Sequence, residues 1–143
     1  MEDLHRRSAK TLAWLGDVEF EREVRYRLVR RGDYPTDRLD AMKTRVVRAE
    51  AQAALLEQMT PALSPDEQAL VQRARNTSPP AASRGRRRRT RDYRQATALE
   101  ALVASWCLDG EPGRARLDTV MGPLLDAAID GALEADRRRP RRG

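Results

Sequence analysis

Two carboxylates stand where helical periodicity calls for apolar side chains. Asp17 shares a helical face with Ala13, Phe20 and Val24, and Glu100 lies beside Leu99 on a face with Ala96, Val103 and Ala104. A carboxylate on such a face is costly unless it is paired, hydrogen-bonded or bound to a cation. One reading is a pair of ordinary salt bridges, since the chain carries 28 Lys and Arg against 22 Asp and Glu. The other is that the two acids meet and hold a hard divalent cation. Carboxylates and water, without nitrogen or sulfur ligands, suit Mg2+, with Mn2+ as a substitute. The rest of the inventory narrows the chemistry. One histidine, His5, and one cysteine, Cys107, argue against a zinc module, an internal disulfide and a histidine-based triad.

The charge is unevenly spread over the 143 residues. Residues 84–94 hold seven arginines and one aspartate, and residues 137–143 hold five arginines. Without these two blocks, 16 cations face 21 acids, so a mildly acidic body carries two basic patches. Such patches attract polyanions, and nucleic acid is the commonest polyanion of a cytosol. The alternative for each is a solubilising, solvated charge run. An acidic cation site beside an arginine-rich segment describes phosphodiester cleavage. A charged fraction of 35% and no long apolar run exclude a membrane-spanning reading. The start, Met1-Glu2-Asp3-Leu4, resembles neither a signal nor a transit peptide, so a cytoplasmic location is expected.

The elements that must position the two acids read as helices nearly throughout, in one all-α domain of five to seven helices. Residues 8–31 favour a helix that stops at Gly32, and Pro35 allows a new start. A three–four spacing through Leu39, Met42, Val46, Ala49, Ala53 and Leu56 predicts one helix over 36–59. Ser64-Pro65-Asp66-Glu67 predicts a capping box opening a short helix to about Arg75. Residues 76–91, with two prolines, Gly85 and the arginine run, read as a loop. Periodicity resumes over 93–109, is interrupted at Gly110 and Pro112, and continues over about 114–136, with Gly122-Pro123 as a kink or division. The domain is thus expected over 1–136, with a basic, nucleic-acid-facing loop at 76–92 and a disordered tail at 137–143.

Four blocks of this chain resemble the ribonuclease III catalytic domain, in the right order. Leu12-Ala13-Trp14-Leu15-Gly16-Asp17-Val18-Glu19-Phe20-Glu21 resembles its first acidic motif, and Tyr93-Arg94-Gln95-Ala96-Thr97-Ala98-Leu99-Glu100-Ala101-Leu102 its second. Between them, Arg48-Ala49-Glu50-Ala51-Gln52-Ala53 and Arg73-Ala74-Arg75-Asn76 are similar to blocks of Mini-ribonuclease III, the short branch without a double-stranded-RNA-binding domain. The resemblance implies that Asp17 and Glu100 are the metal-binding and catalytic acids. Two further acids of the longer enzymes are replaced by Ala13 and Thr97, a departure shared with the short branch. Glu21 matches a further acidic position. It reads either as a partner supporting Asp17 or as an i,i+4 partner of Arg25. Glu19 and Glu50 depart from the family pattern.

The resemblance further implies hydrolysis of double-stranded RNA by a homodimer with one site per subunit. The ends would be 5′-phosphate and 3′-hydroxyl, and the substrate a stem of a ribosomal RNA precursor. Trp14 and Phe20 are candidates for burial at the two-fold interface, with a core role as the alternative, and for Trp106 the core role is favoured. The duplex would be held by Arg84, Arg86, Arg87, Arg88, Arg89 and Arg91, with Arg73, Arg75 and Asn76 at the near edge of the same segment. A non-catalytic RNA-binding or ribosome-associated helical protein is the competing class. A DNA-compacting basic protein fits poorly, because the body is acidic.

Overall fold

The computed structural model describes residues 4–77 and 87–140, except the side chains of 5 and 87–89. Seven α-helices make up these residues: α1 Ala9–Arg31, α2 Thr36–Val47, α3 Ala49–Met59, α4 Pro65–Arg75, α5 Arg87–Leu108, α6 Gly110–Val120 and α7 Gly122–Arg137. Short 3₁₀ turns precede α1 and follow α3. No strand occurs among the described residues.

The middle of α5 is the axis of the fold. Within 96–104 every residue is buried except Glu100, so this stretch is apolar nearly all round and must be surrounded. Helices α1, α3, α4 and α6 pack against it, while α7 packs mainly on α2. One core runs through Leu12, Phe20, Val24, Leu56, Leu99, Leu102, Trp106, Leu117 and Leu125. No helix is long and apolar enough to cross a membrane among the described residues.

Local sequence explains most boundaries. Ser8 caps α1 by accepting the Thr11 N–H. The capping box at α4 is complete: the Ser64 N–H donates to Glu67 Oε1 at 2.8 Å, and the Glu67 N–H donates to Ser64 Oγ at 3.2 Å. Gly122-Pro123 divides the last segment, and Pro123 stands in the first turn of α7, where a missing N–H costs nothing.

Three expectations are corrected. The single helix over 36–59 is two, because Arg48 turns extended at ψ 153°. The released Val47 carbonyl accepts the Gln52 side-chain amide at 2.7 Å, which offsets the break. Helix α6 starts at Gly110, not near 114, because Pro112 falls in its first turn and is tolerated. Helix α5 starts at Arg87, so the loop expected to reach 91 ends earlier. Arg84 and Arg86, residues 78–86 of that loop and residues 141–143 of the tail lie outside the described residues.

Candidate active site

Helix α1 meets α5 at a glycine. A Cβ on Gly16 would stand 1.7 Å from the Glu100 carbonyl oxygen and 2.9 Å from Glu100 Cα. Only the absence of a side chain lets the two backbones approach this closely. Asp17 is the next residue, so the close approach brings its carboxylate to that of Glu100. Burial first, and then the neighbouring Asp17 carboxyl, pushes Glu100 up to a pKa of about 8. Asp17 itself is exposed, so the pair opens to solvent on the Asp17 side.

In a chain this rich in arginine, neither acid forms an ion pair among the described residues. Among the described residues the salt-bridge reading therefore finds no partner for either acid. No third His, Cys, Asp or Glu joins them into a larger ligand cluster among the described residues. At the two positions where longer enzymes are expected to carry acids, Ala13 packs against the core and the Thr97 hydroxyl donates to the Tyr93 carbonyl at 2.9 Å. Two adjacent carboxylates without a compensating cation fit a divalent ion, with water completing its shell.

The family model for the ribonuclease III domain matches residues 10–111, a span that contains both acids. The chain belongs to the ribonuclease III family. It is 38% identical over 120 residues to the Mini-ribonuclease 3 of Symbiobacterium thermophilum, covering 84% of this chain and 86% of that protein. It is 39% identical over 110 residues to the Mini-ribonuclease 3 of Desulfitobacterium hafniense, covering 75% of this chain and 66% of the relative. A Fusobacterium nucleatum protein of known crystal structure shares the fold at a TM-score of 0.72 and 22% identity, over 87% of this chain and 98% of the other. These likenesses place the chain in the Mini-ribonuclease III branch, a group of endoribonucleases.

Seen as a ribonuclease III domain, the remaining candidates separate. Glu21 gives its carboxylate to Arg25 at 3.1 Å and Lys43 at 3.5 Å. Arg73, Asn76 and Arg91 are exposed. Arg75 is half-buried and donates Nε to Gln95 Oε1 at 2.5 Å, tying the end of α4 to α5. For Arg87, Arg88 and Arg89 only the helical backbone is described. Phe20, a candidate for an interface, is 1% exposed and belongs to the core. Trp14 is 80% exposed. Trp106 is core, as expected, and donates Nε1 to Glu67 Oε2 at 2.8 Å.

One polar site escaped the sequence. Glu23 is 5% exposed, and Arg114 reaches both of its oxygens at 2.7 Å while Arg27 donates at 2.9 Å. Burial pushes this carboxyl up, but the arginines outweigh burial and leave it below the usual range. The only weak signal was its spacing of three from Phe20. Cys107 is inert: burial, aided by Glu19, pushes its thiol up to about 11.

Proposed function

We propose that this chain is a Mg2+-dependent endonuclease of double-stranded RNA, with Mn2+ as a working substitute. Asp17 and Glu100 hold the cation. The observation that carries this reading is their juxtaposition without an arginine partner, inside the span that the family model matches. When bound, the ion activates water as nucleophile and neutralises charge building on the phosphate oxygens. The protein supplies the rest. Gly16 fixes the distance between α1 and α5 and so holds the two carboxylates together. Burial at Glu100 favours uptake of a cation over two adjacent negative charges.

The duplex is held by the exposed Arg73, Asn76 and Arg91 and by the arginines of 84–89, with Arg75 in addition anchoring α4 to α5. These groups meet phosphates and do not read bases. Cleavage leaves 5′-phosphate and 3′-hydroxyl ends, in the maturation of a ribosomal RNA precursor in the cytoplasm. The catalytic unit is 1–136, with 137–143 a basic tail. The working form is a homodimer: Trp14, Val18 and Val29 expose an apolar stripe along α1 that a second copy would cover.

Long duplex RNA incubated with the purified protein tests this. Cutting with Mg2+ and none with EDTA is expected, with Asp17→Asn and Glu100→Gln binding RNA but not cutting it. A protein that binds duplex and never cuts it would instead be the non-catalytic RNA binder. Gel filtration of the active species should give a dimer, and Trp14→Asp should shift it to monomer.

A further inference from the structure

The chain has only two lysines among 28 cations: Lys10 lies on the face of α1 that carries Asp17, and Lys43 of α2 reaches that face at Glu21. Lys10 is seven residues before Asp17, nearly two full turns, hence on the same face and about 10 Å along the axis. Glu21 is one turn after Asp17, about 6 Å along the same face. There Lys43 arrives from α2, its ammonium 3.5 Å from Glu21, whose other oxygen takes Arg25. One carboxylate thus serves two cations. The remaining acid near Lys43, Asp40, stands 3.9 Å away and is 69% exposed, so it neutralises little. Lys43 itself is only 18% exposed, held between α1 and α2. Its position is therefore fixed, unlike that of a solvated surface lysine.

Around Glu100, by contrast, no cation contributes to its environment. The face of α5 offers Ala96, Thr97, Val103 and Ala104. Beside the two acids themselves, the countercharge nearest the cut is that of α1 and what α1 supports, in addition to the arginines farther along the duplex. We infer that Lys43 contacts a backbone phosphate of the strand being cut, and that Lys10 contacts another on the opposite side of Asp17. Glu21 is a positioning residue that aims the Lys43 ammonium. The row Lys10, Asp17, Lys43 forms a track for the cleaved strand along α1, separate from the arginine-rich segment entering α5. A compact ammonium on a fixed stem meets one phosphate as a point charge.

This inference rests on the cleavage reading above, and the test keeps the two apart. Binding of a short RNA duplex is measured in EDTA over a range of salt, and steady-state cleavage in Mg2+. Lys43→Gln should raise KM about fivefold, leave kcat within about twofold, and reduce the slope of log K against log salt by somewhat under one. Lys43→Arg should restore the slope. Lys10→Gln should act in the same direction, and, on an exposed side chain, it carries the test if Lys43→Gln loses helicity. Arg30→Gln, farther along α1 toward its C-terminal end, should change neither quantity. Unchanged slope and KM in both lysine variants would overturn the inference while leaving cleavage intact. A parent protein that binds but does not cut would overturn the cleavage reading, and the slopes would still decide the phosphate contacts.

Discussion

Two carboxylate sites flank α5 and are built on opposite terms. Glu67, at the start of α4, receives Arg116 at 2.9 and 3.0 Å, the Ser64 N–H at 2.8 Å and the Trp106 indole at 2.8 Å. Arg116 chiefly, against the cost of burial and with help from Ser64 and Trp106, holds its pKa down to about 2. Glu100 is also removed from water but meets another acid, and its pKa goes up to about 8. The first site has every oxygen satisfied and joins α4, α5 and α6. The second is left short of positive charge, beside an exposed Asp17. The difference separates a carboxylate whose charge the fold compensates from one it leaves facing another acid, as the proposed cation site requires.

Breaking each site should therefore have opposite consequences. Glu100→Gln should lower cleavage by roughly 10³-fold, yet raise the melting temperature in EDTA at pH 8, read by circular dichroism. Glu67→Ala should do the reverse. It removes the acceptor of Arg116 and of the Trp106 N–H and should cost about 1–3 kcal/mol in denaturant unfolding, with the surviving folded fraction still cutting RNA. Gly16→Ala tests the spacing between α1 and α5. Overpacking there should cost about 1–3 kcal/mol, and cleavage should fall further than stability alone explains, because Asp17 is pushed away from Glu100.

A smaller effect separates the sites by pH. Glu67 is depressed, so its contribution to stability is present above about 4.5 and is lost as the pH falls toward 2. Glu100 is raised, so its contribution is full below about 4.5 and is lost as the pH rises through about 8. Without divalent cations, the advantage of Glu100→Gln over the parent should thus vanish at pH 4 and grow toward pH 8. An advantage independent of pH would refute the assigned burial of charge.

Much of this was legible from residue types alone. The capping box at Ser64, the stop at Gly32 and the division at Gly122-Pro123 are local signals, and the structure follows them. Asp17 and Glu100 stood out because each interrupts an apolar face. Their meeting was not legible from periodicity, which places a residue on a face but not against a partner 83 positions away. The family motifs supplied that pairing, and Gly16 supplies its physical reason. The break at Arg48 carries no proline or glycine, so no breaker announced it. Glu23 resembles any surface glutamate of a charged helix until Arg114, on a distant helix, folds onto it. Phe20 was left between core and interface, because a face with one acid reads equally as the edge of either, and it lies in the core.

The central claim is that Asp17 and Glu100 together grip one divalent cation. Calorimetric titration of Mn2+ into the full-length protein at pH 7.5 addresses it without RNA. One ion per chain is expected in the parent, with binding lost in both Asp17→Asn and Glu100→Gln. Undiminished Mn2+ binding in the two variants would contradict the account.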